Sequence, residues 1–149
     1  MIEKQKVHAA CLDVLAQKII IARKGMEEAQ ASANNETKSS AGDKYETGRA
    51  MSQRERDLHA RQLAELLNMK KALTSIDPDK LNSKVELGAL VETENSCFYI
   101  SASLGAIEIE ARKFMAISAI SPIAQAMLDK KVGDTFAWMK QNKKILSIS

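Results

Sequence analysis

A chain of 149 residues is the size of one ordinary domain or two small ones. Its 45% hydrophobic content excludes a disordered chain, and its 4% aromatic content argues against one large aromatic-rich core. The net charge of +3 is mild and does not by itself indicate nucleic-acid binding.

The N-terminus begins Glu3-Lys4-Gln5-Lys6 and has no long apolar segment, so no signal peptide is expected. From about Gln5 to Ala33 there is no Pro and a single Gly. Apolar residues recur at Leu12, Leu15, Ile19, Ala22, Met26, Ala29 and Ala33, spaced three and four apart, which is a heptad seam on a helix. The apolar run Ile19 to Ala22 lies between Lys18 and Arg23 and is far too short to span a bilayer. The stretch from Ala33 to Gly42 is polar and rich in turn formers, and is expected to break the helix. Ser40 followed by Asp43 resembles a capping box for a second helix. That helix should stop near Ser75, before Asp77-Pro78, because a residue preceding Pro disfavours helical geometry.

Two long helices around a polar loop suggest an antiparallel hairpin. Pairing them about that loop sets Leu12 against Leu66, Leu15 against Leu63, Ile20 against Leu58, Met26 against Met51, Ala29 against Gly48 and Ala33 against Tyr45. Small residues meet near the tip, and Gly48 costs about 1 kcal/mol relative to Ala in a helix interior, which hints at close packing there. Arms of about thirty residues would project about 45 Å at 1.5 Å per residue.

Residues 77–84 read as a linker, after which the pattern changes to strands. Val85 to Thr93, Cys97 to Ser103, Ile107 to Glu110, Lys113 to Ile117, Thr135 to Lys140 and Ile145 to Ile148 are candidates. Ser121-Pro122 opens a short helix from Ile123 to Leu128, with Ser as N-cap and Pro in the first turn. Gly133-Asp134 is a turn. The fold class is therefore α+β, with a coiled-coil hairpin over 1–76, its tip near 34–43, and a β domain with one short helix over 85–149.

Few residues point to independent chemistry. His8 and His59 lie on different arms, with His59 expected near Ile19, and no nucleophile or carboxylate accompanies either. Cys11 and Cys97 form no CxxC pair, so a disulfide framework or zinc site is not expected, and two free thiols suit a reducing cytoplasm. Arg49, Arg54, Arg56 and Arg61 crowd the second helix and could face phosphates or acidic walls, but solvated pairing with Glu55 and Asp57 is the simpler reading. Met26, Met51, Met69 and Met127 suit a core.

Three stretches carry a resemblance: KSSAGDKYETGRAMSQ at the hairpin tip, VELGALV opening the β domain, and AISAISPIAQAMLDKKVGDTF after it. The last resembles the C-terminal signature of the transcription elongation factors GreA and GreB, through Ser121, Pro122, Ile123, Ala126, Leu128, Lys130, Lys131, Gly133 and Asp134. The resemblance implies an FKBP-like antiparallel β domain that docks on bacterial RNA polymerase, with Ser121, Pro122, Ile123, Lys131, Gly133 and Asp134 marking the docking region. It implies a hairpin that enters the polymerase secondary channel to modulate elongation. In cleavage-active members two tip carboxylates help hold a Mg²⁺ ion at the polymerase active site, as suits a hard cation that prefers oxygen ligands.

The family tip reads Asp-x-x-Glu-Asn-Ala-Glu-Tyr. Aligned on Tyr45, its acidic positions fall on Lys38 and Ala41, and the pair is lost. Aligned on the Asp-x-x-Glu spacing, they fall on Asp43 and Glu46, with Lys44 and Tyr45 beside them. Helix capping by Asp43, with Glu46 a first-turn acid, is the competing structural role. The expectation is a cytoplasmic monomer, not an enzyme, with no cofactor of its own beyond a Mg²⁺ shared with the polymerase, and meeting RNA or DNA only within the elongation complex. The alternatives are a channel-occupying regulator that does not stimulate cleavage, or a coiled-coil adaptor for another protein. Prolyl isomerisation, suggested only by the FKBP-like shape, needs an aromatic pocket, whereas Phe98, Tyr99, Phe114, Phe136 and Trp138 occupy plausible strand-core positions.

Overall fold

The computed structural model describes residues 3–38 and 43–149, and their side chains outside 36–47. Two long helices, α1 (Lys4–Lys38) and α2 (Asp43–Thr74), precede six strands and one short helix. The chain forms two compact units, one of Leu15–Asn68 and one of Met1–Val14 with Met69–Ser149, so each helix contributes to both.

In the first unit α1 and α2 pack antiparallel. Of the expected α1 seam, Leu15, Ile19, Ala22, Ala29 and Ala33 are buried, and Leu12 and Met26 are half-buried. α1 does not stop at Ala33 but continues through Asn34 and Asn35 to Lys38. No Gly or Pro interrupts this stretch, the polar residues cost only tenths of a kcal/mol each in a helix, and Gln30 Nε2 donates to Asn34 Oδ1 at 3.2 Å one turn away.

The register of the arms also differs from the expected one. The expected pairing sets Gln53 opposite Gly25, but His59 stands there, and Arg56 Nη1 donates to Gln30 Oε1 at 3.0 Å. Ile20, Met51 and Leu58, expected in the seam, are 58%, 60% and 49% exposed. His59 is thus against Gly25 and not Ile19. The lack of a side chain at Gly25 is used here: an added Cβ would lie 2.6 Å from His59 Cε1.

The second unit is built on one sheet in the order β3-β4-β2-β1-β6-β5, from β1 (Leu90–Thr93), β2 (Cys97–Ser101), β3 (Gly105–Ile109), β4 (Arg112–Ser118), β5 (Thr135–Trp138) and β6 (Gln141–Ile148). Every pairing is antiparallel except that of β2 with β4, which is parallel from Phe98↔Met115 to Ser101↔Ser118. The expected antiparallel β domain is present, with this one parallel pair inside it. After β2 the chain steps across one strand position through Ala102-Ser103-Leu104, with Gly105 at φ +79°, and β3 takes the edge. The β3–β4 hairpin then fills the gap, and its second strand necessarily runs with β2.

Strand bounds also differ. Val85 to Ala89 is not strand, because Gly88 at φ +90° turns the chain and donates its N–H to the Ile100 carbonyl at 2.7 Å. The turn between β3 and β4 falls on Glu110-Ala111, and that between β5 and β6 on Met139-Lys140; all four residues have positive φ. Two consecutive positive-φ residues are the signature of the turn whose twist matches a two-residue hairpin.

Alternation buries both faces of the sheet. Val91, Phe98, Ile100, Ile117, Phe136 and Ile145 form one core with Val85, Ala89 and the short helix α3 (Pro122–Met127), which contributes Ala124 and Met127. On the other face Tyr99 meets His8 of α1, and Val7, Cys11 and Leu73 are fully buried. Each large apolar side chain removed from water contributes about 1.5–3 kcal/mol.

Candidate functional site

The segment from Ser118 to Ile145 is organised by short-range hydrogen bonds. Ser121 caps α3: its Oγ donates to the Ser118 carbonyl at 2.7 Å and accepts from the Ala124 N–H at 3.4 Å. Pro122 occupies the first helical position, where its missing N–H costs nothing. Ile123 is half-buried against the core, and Leu128 is the C-cap, not part of the helix.

The stretch from Lys131 to Asp134 is a turn closed from both sides. The Lys131 N–H donates to Asp134 Oδ2 at 2.8 Å, and the Asp134 N–H donates to the Lys131 carbonyl at 3.0 Å. Gly133, at φ +91°, adopts a conformation that side chains disfavour, and its N–H donates to the Ile145 carbonyl at 2.9 Å. Ser121, Pro122, Gly133 and Asp134 therefore shape this segment, while Lys131 is exposed on it. Ile120, Leu128 and Val132 are exposed apolar residues here, and none is among the expected docking residues, although Leu128 belongs to the signature. Each sits directly beside a structural signal: Ser121, Asp129 with its positive φ, and Gly133.

At the other candidate site Asp43 opens α2, with Lys44, Tyr45 and Glu46 in its first turn. The spacing of Asp43 and Glu46 places them on one helix face. Their side chains lie outside the described residues, as does Ser40 of the expected capping box. Carboxylates would suit Mg²⁺. Among the described residues no group of three or more His, Cys, Asp or Glu could hold a metal ion.

Burial moves His8, Lys4, Cys11 and Cys97 away from their ordinary values. His8 Nδ1 and the Tyr99 hydroxyl share a hydrogen bond of 2.7 Å. Burial, and then the charge of Lys4, hold the imidazole below its ordinary range. Lys4 donates to Asn82 Oδ1 at 2.8 Å and to the Lys80 carbonyl, and Asn82 Nδ2 donates to Glu86 Oε1 at 2.7 Å. Burial lowers the Lys4 ammonium and pushes both thiols, Cys11 and Cys97, up to about 12, so neither thiol is an activated nucleophile at neutral pH. Of the expected pairs on α2, Arg56 meets Asp57 at 3.1 Å, while Glu55 has no ion pair with a described residue.

These features place the weight of identification on the second unit. Residues 80–149 match the family described as Transcription elongation factor, GreA/GreB, C-term. No curated protein matches the chain. Two solved structures are similar along most of its length. The GreA factor homolog 1 (Gfh1) protein of Thermus thermophilus is 19% identical over 91% of this chain and 92% of that one, with a TM-score of 0.36. A structure of the transcription factor Gfh1 is 20% identical over 93% of each chain, with a TM-score of 0.37. No described helix is long and apolar enough to cross a membrane.

Proposed function

We propose that this Gre-like chain binds bacterial RNA polymerase, placing its helical hairpin in the secondary channel and docking through its FKBP-like C-terminal domain. The observation that carries this reading is the match of residues 80–149 to the Gre C-terminal domain, following a two-helix hairpin. In this reading Lys131, presented by the Gly133-Asp134 turn, and the segment opened by Ser121, Pro122 and Ile123 meet the polymerase. Asp43 and Glu46 face the polymerase active site, with Lys44 and Tyr45 beside them. There a shared Mg²⁺ would supply the activation of water for cleavage of a backtracked transcript. The chain contributes oxygen ligands and position, and is not itself the enzyme. It acts as a cytoplasmic monomer when bound and meets nucleic acid only within the complex.

The alignment on Tyr45 supports a second reading, in which no catalytic pair exists and the hairpin occupies the channel without stimulating cleavage. A transcript-cleavage assay on a backtracked elongation complex separates the two. Cleavage by the wild type that is lost in Asp43→Ala/Glu46→Ala supports the first reading. Binding without added cleavage supports the second. Failure to bind core polymerase overturns both and leaves an adaptor for another protein.

A further inference from the structure

We propose that the outer face of α2 within Leu15–Asn68 is a self-association surface, on which a second copy of this chain packs antiparallel about Leu58. Met51, Arg54, Glu55, Leu58, Arg61, Gln62 and Glu65 recur at three- and four-residue spacing and form one helical stripe. Every one of them is exposed, including Met51 and Leu58, which a two-helix hairpin leaves outside its single seam.

The stripe is complementary to itself when reversed. An antiparallel copy related by a two-fold axis at Leu58 sets Leu58 on Leu58 and Glu55 opposite Arg61 of the second copy. The same operation sets Arg54 opposite Gln62 and Met51 against the aliphatic stem of Glu65. A two-fold interface uses one patch twice, so each favourable pair occurs twice. Neither Glu55 nor Arg61 has an ion pair with a described residue, so both are available.

Beside the stripe, a notch of about 500 Å³ lies over Gly25, Ala29 and Ser32, bordered by Glu55, His59 and the exposed Ile21. Its floor of Gly25, Ala29 and Ser32 is recessed between the longer Ile21, Lys24 and Glu28, beside the proposed contact. The charge pattern is what selects a second copy over an unrelated apolar helix: register is set by the two Glu55–Arg61 pairs, and a parallel or shifted copy loses them. Resting on the elongation-factor reading, such a pair would keep the hairpin from entering a polymerase channel. The association itself is measured without polymerase, so failure of either reading is distinguishable from failure of the other.

The test is sedimentation velocity of the full chain over a wide concentration range at low salt, with three variants. The expected result is a mass rising with concentration from monomer toward dimer and falling back with added salt. Glu55→Arg sets like charges face to face and should weaken association about tenfold. Adding Arg61→Glu to it restores the pairing with signs exchanged and should recover most of that loss. Leu58→Cys, with its thiol on the axis, should form a disulfide-linked dimer under mild oxidation. All positions are exposed, and helical circular dichroism checks that each variant folds. A monomer at every concentration overturns the proposal and leaves the face to a different partner. A dimer that ignores Glu55→Arg, or that the exchanged pair does not restore, overturns it equally.

Discussion

Gly133→Ala isolates one conformational cost in the proposed docking segment. Gly133 has φ +91°, and a Cβ added there would meet nothing within 4 Å. No clash contributes, so only backbone strain remains. An L-residue on the left-handed side costs about 1–2 kcal/mol. Replacing Gly recovers about 0.4–1 kcal/mol by restricting the unfolded chain. The strain wins, with a net loss of about 1 kcal/mol. The turn cannot relax by rotating its peptide, because the Gly133 N–H donates to the Ile145 carbonyl and the Ile145 N–H donates to the Asp134 carbonyl, each at 2.9 Å. Trp138 is the chain's single tryptophan and packs against the core that contains Ile145, so its fluorescence reports unfolding of this unit. Urea titration should show a lower midpoint with an unchanged slope. Gly133→Asn should cost less, since Asn tolerates positive φ better, and Gly133→Val should cost more. A midpoint for Gly133→Ala that is unchanged or raised would refute the argument, since it would mean a glycine at ordinary negative φ.

The opposite change applies at the β5–β6 turn. Met139→Asn with Lys140→Gly places favoured residues at φ 50° and 63° and should raise the urea midpoint, by about 1 kcal/mol in stability. Leu73→Ala, at a side chain with no exposure, should cost about 2–5 kcal/mol, against less than about 0.5 kcal/mol for Leu81→Ala at 82% exposure; equal costs in thermal unfolding would contradict the assigned burial. Burial and Lys4 hold His8 below the ordinary imidazole value of 6.5, so the unfolded chain takes up the proton first as pH falls. The His8 contribution to stability is therefore complete above about pH 6.5 and is lost as pH falls through the folded value. An NMR titration placing His8 above 6.5 in the folded chain would reverse that sign. Cys11 and Cys97, raised to about 12, should alkylate slowly at pH 8 in the native chain and quickly in urea; equal rates would contradict their burial.

What the amino-acid order determined by itself is what depends on neighbours a few residues apart. The α1 seam from Leu15 to Ala33, the Ser121 cap, Pro122 at the helix start and the Gly133-Asp134 turn are all local, and each stands where its spacing placed it. The Gre-like C-terminal signature is local in the same sense, and residues 80–149 match that family. The turns at Glu110-Ala111 and Met139-Lys140 were not legible, because neither carries the Gly or Asn that normally marks positive φ; strand pairing on both sides imposes it.

Long-range choices were left to the tertiary structure. Heptad spacing says which face of α1 is buried but not which residue of α2 lies opposite. The observed register puts His59 against Gly25 and leaves Leu58 and Met51 exposed. Alternation marks strands but not their neighbours, so the parallel β2–β4 pair emerged only when β3 took the sheet edge. The His8–Tyr99 hydrogen bond joins residues 91 apart in the chain, a partnership no local pattern encodes. Local signals arise from backbone geometry repeated over three or four residues, whereas register and strand order depend on how the whole chain best covers its apolar surface.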